Sequence, residues 1–252
     1  MRLAILLALL SASAVQAQVE RLDHKITATG LGVEFPGGYA CEPISSPFAS
    51  PTRHDGSTRR GDRNTGLHGG LDLSLGIGTP LLAVAAGEVI ALGEGGALEG
   101  IYLWLRHAPD DTGTPYFVFS KYQHLSTRPA LRVGERVEAG AVVGSSGATG
   151  TAGKQYGPNG YPHLHLSTFY GPSGEYTIDG MFGSRVHGKD ARLDDPLILY
   201  VEGLRDLSAV RGLADERRKV RPGVVGQDGR IHPEGRKTVW PVSCKETDHG
   251  SG

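Results

Sequence analysis

Three short runs dominate the middle of the sequence: PLLAVAAGEVI at residues 80–90, IYLWLR at 101–106 and YFVFSKYQH at 116–124. Two further runs, at 133–143 and 163–169, have the same character. β-Branched and aromatic residues in such runs favour short strands, and the glycines between them favour tight turns. Because no convincing helical pattern interrupts these runs, they predict a mainly β fold, either an antiparallel barrel or a sandwich.

The segments on either side differ from this pattern. Residues 18–64 contain PGG, SSP and a long polar run, so they are predicted to form an extended lead-in with little regular helix. Residues 201–252 form a C-terminal extension to which the sequence assigns no role. Apolar residues at helical spacing predict one amphipathic helix in this extension, although Gly212 weakens the pattern. The residues with this spacing are Leu204, Leu207, Val210 and Leu213.

The charge and composition exclude several classes of function. The 252 residues include 26 Lys and Arg against 27 Asp and Glu, which leaves a net charge of −1. This balance gives no electrostatic reason to expect nucleic acid as a partner. The 38 glycines and the 38% of hydrophobic residues are typical of a turn-rich globular protein, and they disfavour a coiled coil or a disordered chain.

Residues 1–17 have the pattern of a secretory signal. Met1-Arg2 supplies a positive charge, an apolar stretch follows, and Val15-Gln16-Ala17 has the small residues expected before a cleavage site. The apolar stretch is shorter than the ~20 residues that span a bilayer. The sequence therefore predicts cleavage after Ala17, export to the periplasm or the exterior, and no transmembrane anchor in the mature chain.

Export affects the interpretation of the two cysteines, Cys41 and Cys244. Disulfides persist in oxidising compartments, so the two residues are predicted to pair. Such a bond would close a loop of roughly 200 residues and would stabilise the fold by at most roughly 5 kcal/mol. Two buried free thiols are the alternative.

Histidines occur in three short motifs: HGGLD at 68–72, YQHLS at 122–126 and PHLHL at 162–166. In the third motif, the alternation of a strand places His163 and His165 on one face, while the leucines face the core. One of these imidazoles can therefore bind a metal ion while the other reaches toward water or substrate.

The first motif supplies two more ligand types. On a straight strand His68 and Asp72 would lie about 13 Å apart, so the chain must bend at Gly69-Gly70 for both to reach one ion. Together with His165 they provide two imidazoles and a carboxylate. This is a typical three-ligand set for a catalytic Zn²⁺ whose fourth position is open to water, and the sequence predicts that cofactor.

A zinc site of this kind also needs a general base, and no HExxH helix is present to supply a glutamate. His124 and His163 are the candidates, because a neutral imidazole can accept a proton near pH 7. One would take a proton from water while the other would stabilise the oxyanion as an imidazolium. The remaining histidines have no such spacing and are predicted to be solvated or locally bonded.

In this order the motifs HGGLD, YQHLS, VGERVEAGAVVGSSGATG and PHLHL resemble the lysostaphin/LytM-type zinc endopeptidases of peptidoglycan. The resemblance covers roughly residues 65–200. It implies the same three zinc ligands, and a polarising role for His124 and His163. The implied fold is an antiparallel β-sheet domain with a groove walled by loops, and the implied substrates are stem or cross-link peptides of the cell wall.

Two departures from that pattern stand out. Residues 107–116 and 150–161 are longer than the short turns of such proteins, and they are predicted to rim the groove.

Two other functions remain open. One is a catalytically inactive, wall-associated activator of another murein hydrolase, which the complete ligand set disfavours. The other is a zinc peptidase acting on glycine-rich proteins. The sequence does not identify a regulatory partner.

Overall fold

The computed structural model describes residues 26–59, 66–97, 99–151, 161–179 and 185–247. The predicted signal sequence, residues 1–17, lies outside these ranges. Within them, no helix combines the length and the apolar character that a membrane crossing requires.

The described chain is mainly β, as predicted. Its first strands are β1 (Gly32–Val33), β2 (Tyr39–Ala40), β3 (Ile44–Ser46), β4 (Leu71–Ser74), β5 (Pro80–Leu82), β6 (Gly87–Glu94), β7 (Ile101–His107), β8 (Phe117–Leu125) and β9 (Arg136–Val137). The later strands are β10 (Val142–Ser145), β11 (His163–Gly171), β12 (Tyr176–Asp179), β13 (Arg185–Gly188), β14 (Arg192–Asp194), β15 (Lys219–Val220), β16 (Val224–Val225), β17 (Ile231–His232) and β18 (Lys245–Glu246). One α-helical turn, α1, spans Pro109–Thr112, and 3₁₀-helices span Pro196–Tyr200, Leu207–Gly212 and Asp215–Arg217.

Eight of these strands form one antiparallel sheet, in the order β3–β4–β11–β8–β7–β6–β9, and β14 also pairs with β11. β11 is central because it pairs with β4 over its first residues and with β8 along most of its length. Leu164 and Leu166 of β11 are fully buried in the main core. Alternation along the strand therefore places His163 and His165 on the opposite face of the sheet.

The main core is shared between the sheet and the C-terminal extension. Leu73, Leu103 and Tyr122 lie in it, together with the fully buried Trp240 from the extension. Burying one such side chain stabilises the fold by roughly 1.5–3 kcal/mol relative to exposure. The sheet that carries the histidines is therefore supported from its other face.

The lead-in and the C-terminal extension are tied to each other. β1 pairs with β15 and β2 pairs with β18. The predicted disulfide between Cys41 and Cys244 is confirmed, and it joins residues 203 positions apart. Phe35 packs edge-on against Trp240, with 5.2 Å between the ring centroids. The two flanking segments thus form one structural unit, which also contributes β3 to the sheet.

The helix predicted in the extension is present as the six-residue 3₁₀-helix Leu207–Gly212, not as an α-helix. Asp206 caps its start by accepting a hydrogen bond from the Ser208 N–H at 2.9 Å. Val210 is the residue of this segment that is buried. A single buried side chain gives little packing energy to a longer helix, so the segment stays short.

The stretch 107–116 contains α1 and connects β7 to β8. It lies at the end of the sheet opposite His124, which is the penultimate residue of β8. This stretch therefore does not border the histidine cluster. Residues 152–160, most of the second long stretch, are outside the described residues.

Candidate metal centre

The register between β4 and β11 places Asp72 directly opposite His165. Because Leu73 and Leu164 occupy the core face, alternation directs Asp72 and His165 to the other face. There the Nδ1 of His165 lies 2.8 Å from the Oδ1 of Asp72. Strand pairing alone therefore brings together two of the predicted ligands, which are far apart in sequence.

His68 reaches the same point from the segment before β4. Its Nε2 lies 3.1 Å from the Asp72 Oδ1 and 3.0 Å from the His165 Nδ1. The bend that makes this possible lies at Gly69-Gly70, since β4 begins only at Leu71. A Cβ on Gly70 would lie 2.4 Å from the carbonyl oxygen of Leu166, so a side chain there would push the bend away from β11.

Hydrogen bonds fix which nitrogen of each ring carries the proton. His68 donates from Nδ1 to the carbonyl of Pro47 at 3.0 Å. His165 donates from Nε2 to the hydroxyl of Ser167 at 2.9 Å, and that hydroxyl donates to a backbone carbonyl. The Nε2 of His68 and the Nδ1 of His165 are therefore lone-pair atoms, and both face the carboxylate of Asp72.

Three acceptor atoms thus converge with no proton between them. Their mutual separations of 2.8–3.1 Å would be repulsive without a cation. Tetrahedral ligands at about 2.0–2.1 Å from zinc lie about 3.3 Å from one another. The donor types and their spacing therefore fit a zinc ion, and these three residues are a group whose ligand atoms all lie within 4.8 Å.

The second oxygen of Asp72 is oriented by the lead-in. Arg59 approaches the Oδ2 of Asp72 at 3.4 Å and donates to the hydroxyl of Ser46 at 3.0 Å. With Oδ2 turned toward this cation, Oδ1 faces the two imidazoles. The lead-in is therefore part of the wall of the candidate centre.

His124 and His163 lie beside this cluster. Their ring centroids are 4.5 Å apart, and the ring of His124 is 6.0 Å from that of His165. His163 donates from Nδ1 to the carbonyl of Tyr161 at 2.7 Å, and His124 donates from Nδ1 to the carbonyl of Thr149 at 2.8 Å. Each ring therefore keeps a lone pair on Nε2.

Strict alternation along β8 would put His124 on the core face together with Tyr122. The backbone of His124 has φ of 65°, a left-handed conformation that few non-glycine residues adopt. This conformation breaks the alternation, and the ring lies near His163 instead. A strand pattern read from the sequence contains no signal for that turn.

Burial and neighbouring charges set the protonation of the cluster. Burial lowers the pKa of His165 to about 4, although Asp72 favours the cation. Burial, reinforced by His163, lowers the pKa of His124 to about 3, and burial also lowers the pKa of His163. Burial opposes ionisation of Asp72, but His68 and His165 hold its pKa well below the ordinary value. At neutral pH Asp72 is therefore a carboxylate, and His124, His163 and His165 are neutral imidazoles.

Several residues that support the site were not anticipated. Ser167 follows His165 by two positions on the same strand face, so alternation could have identified it. Arg59 and Thr149 lie in irregular segments whose approach depends on the tertiary fold. His54, predicted to be solvated or locally bonded, stacks on Tyr161 with 3.5 Å between the ring centroids, and Tyr161 stacks on the ring of His163.

A sequence model of peptidase family M23 matches residues 66–175. Lysostaphin of Staphylococcus simulans is 31% identical over 103 residues, which are 41% of this chain and 18% of that protein. An uncharacterized metalloprotease of Haemophilus influenzae is 36% identical over 124 residues, which are 48% of this chain and 22% of that protein. The chain spans about a fifth of the length of these relatives.

Solved structures of similar proteins include the catalytic domain of the antimicrobial peptidase lysostaphin from Staphylococcus simulans. It is 23% identical, with a TM-score of 0.38, over 64% of this chain and 92% of that chain. A zinc-containing peptidase from Vibrio cholerae is 24% identical, also with a TM-score of 0.38, over 55% of this chain and 36% of that chain. The residues that match the sequence model of peptidase family M23, 66–175, include every predicted ligand.

Proposed function

We propose that this protein is an exported zinc metalloendopeptidase that cleaves peptide bonds in the stem or cross-link peptides of peptidoglycan. Residues 65–200 would form its peptidase domain. The observation that carries the proposal is the convergence of three lone-pair atoms from His68, Asp72 and His165, with tautomers held by other hydrogen bonds. Three acceptor atoms this close together, with no proton among them, favour a bound cation.

A zinc ion held by these ligands would act as a Lewis acid toward water and toward the scissile carbonyl. His124 and His163 supply the proton chemistry. Each has its Nδ1–H bonded to a carbonyl and keeps a lone pair on Nε2. One ring accepts the proton of the attacking water at Nε2, and the imidazolium so formed can then donate a hydrogen bond from Nε2 to the developing oxyanion. The other ring stays neutral and can accept a hydrogen bond from the same water at its own Nε2.

The match of residues 66–175 to peptidase family M23 and the likeness to lysostaphin support a peptidase that acts on peptidoglycan. The disulfide between Cys41 and Cys244 supports export, because such bonds persist in the periplasm and outside the cell. The predicted signal at residues 1–17 is consistent with this location.

The test is digestion of purified sacculi by the zinc-loaded protein, followed by mass analysis of the released muropeptides. The wild type is expected to release fragments with new peptide ends. A His165→Ala variant, or wild type treated with a chelator, is expected to release none. An exposed substitution, His187→Ala, serves as the control for protein quality.

The alternatives predict different results. If wild type leaves sacculi intact but cuts an elastin-like protein, the substrate is a glycine-rich protein and the peptidoglycan proposal is wrong. If it cuts neither but increases the activity of another murein hydrolase, the protein is an activator without catalysis of its own.

A further inference from the structure

We infer that Thr149 is a positioning residue that holds the imidazole of His124 in the orientation needed for proton transfer; this inference rests on the proposed function. The direct contact is the hydrogen bond from the Nδ1–H of His124 to the carbonyl oxygen of Thr149, at 2.8 Å. The His124 side chain is buried, so water does not compete for this bond. The bond fixes the tautomer that leaves the lone pair on Nε2.

The side chain of Thr149 determines where its carbonyl lies. Its hydroxyl donates to the carbonyl of Leu125 at 2.6 Å and accepts a hydrogen bond from the N–H of Ile101 at 2.9 Å. Leu125 ends β8 next to His124, and Ile101 begins β7. The Thr149 hydroxyl therefore acts both as a donor and as an acceptor, and its two hydrogen bonds attach residue 149 to β8 and β7 beside the His124 ring.

Two glycines permit this close approach. Gly100 and Gly150 have φ of 62° and 63°, in the left-handed region. A Cβ on Gly100 would lie 2.1 Å from the Thr149 carbonyl oxygen, and a Cβ on Gly150 would lie 2.0 Å from the Gly100 nitrogen. The segments cross so closely that side chains at these positions would displace the carbonyl that His124 uses.

His124 itself has a left-handed backbone, and it therefore depends on its surroundings to stay in place. Thr149 supplies this constraint, because its carbonyl oxygen accepts a hydrogen bond from the His124 ring and its hydroxyl donates one to the carbonyl of Leu125. Loss of the hydroxyl is expected to free the carbonyl and the ring, without touching the three proposed metal ligands.

The test compares Thr149→Val, which keeps the shape but loses the hydroxyl, with Thr149→Ser, which keeps the hydroxyl. Thr79→Val is the matched control, because the Thr79 hydroxyl donates to the carbonyl of Gly76 and is not bonded to His124. Turnover is measured on soluble muropeptides with zinc-loaded protein. Thr149→Val is expected to lower kcat at least tenfold, with KM and zinc content within twofold of wild type. Thr149→Ser and Thr79→Val are expected to stay within threefold of wild-type kcat.

A second measurement does not depend on activity. ¹⁵N NMR of the histidine rings in the zinc-loaded protein should show His124 as the Nδ1–H tautomer in wild type, and as a mixture of tautomers in Thr149→Val. A wild-type His124 with its proton on Nε2 would overturn the inference even if no variant folds. So would a Thr149→Val protein with unchanged kcat, or one whose zinc content falls together with kcat. If wild type cuts no substrate, the proposed function fails, and the NMR result still decides the positioning role.

Discussion

At the scale of single residues, the site depends on which ring nitrogen each histidine keeps free. Pro47, Ser167, Tyr161 and Thr149 each accept one N–H from a histidine of the cluster. The remaining lone pairs differ in their distance from the Oδ1 of Asp72: those of His68 and His165 lie 3.1 and 2.8 Å from it, whereas the Nε2 of His163 lies 3.8 Å away and the ring of His124 packs beside His163. This difference is the physical basis for assigning metal binding to the first pair and proton transfer to the second.

The division of roles predicts different effects for two alanine variants. His165→Ala removes one of three ligands, so zinc affinity should fall at least a hundredfold and activity should disappear with the metal. His124→Ala leaves the ligands intact, so zinc content should be unchanged while kcat falls by about 10²–10⁴. Metal analysis and turnover assays of both proteins measure this. Loss of zinc from His124→Ala would show that the roles are wrongly assigned.

His107 predicts a pH dependence of stability away from the site. Its Nδ1–H donates to the Ala86 carbonyl, its Nε2 accepts from the Ser120 hydroxyl, and Asp111 and Arg136 are the nearby charges. Burial lowers the pKa of His107 from 6.5 to about 4. Because the pKa is lower in the folded state than in the unfolded state, the unfolded chain binds a proton at His107 first as the pH falls. The free energy of unfolding that depends on the neutral ring is therefore fully present above about pH 6.5 and is lost as the pH falls toward 4.

The free energy of unfolding in urea should therefore fall between pH 7.5 and pH 4.5 by about 2–3 kcal/mol more in wild type than in His107→Gln. A chelator in every sample removes the contribution of metal release. His187→Gln, at an exposed position, should behave as wild type. Equal pH dependence in wild type and His107→Gln would contradict the role of this buried ring.

At the scale of elements, the site is built where β11 pairs with β4 and where Gly69-Gly70 bends toward it. Gly70→Ala would place a Cβ 2.4 Å from the Leu166 carbonyl and 2.9 Å from the His165 Nε2. The bend would move, so zinc affinity should drop at least tenfold and Tm should decrease. Gly76→Ala is the matched control, because its nearest neighbour, the Thr79 Oγ1, would be 3.8 Å away. Zinc titration of both variants tests this, and wild-type affinity in Gly70→Ala would contradict it.

The elements also show how far the sequence can predict this protein. The β-rich middle and the shared face of His163 and His165 follow from local patterns, and the structure agrees. The pairing of Asp72 with His165 depends on the register of strands distant in sequence, which local patterns do not contain. The left-handed turn at His124 and the short 3₁₀-helix Leu207–Gly212 are likewise set by tertiary packing.

At the scale of the whole molecule, the lead-in and the C-terminal extension are joined by strand pairs and by the disulfide. The sequence predicted an extended lead-in and one helix in the extension, but not the pairing of these segments with each other. The lead-in also contributes Arg59 and Ser46 to the surroundings of Asp72. The candidate centre is therefore connected to the flanking unit.

The disulfide predicts a measurable contribution to global stability. Replacing both Cys41 and Cys244 by serine should lower the free energy of unfolding by at most about 5 kcal/mol. The reason is that the unfolded chain regains the conformational entropy that closing a loop of roughly 200 residues removes. Urea unfolding of the variant measures this loss. A phosphine reductant should lower the Tm of wild type and leave that of the double variant unchanged. An unchanged wild-type Tm after verified reduction would contradict a stabilising role.

The most direct test of the central claim is a crystal of the zinc-soaked protein with anomalous diffraction measured at the zinc edge. The account predicts one strong peak at bonding distance from the His68 Nε2, the Asp72 Oδ1 and the His165 Nδ1, and no such peak in crystals of His165→Ala. A wild-type crystal without a peak at these atoms, or with its peak at another group of side chains, would contradict it.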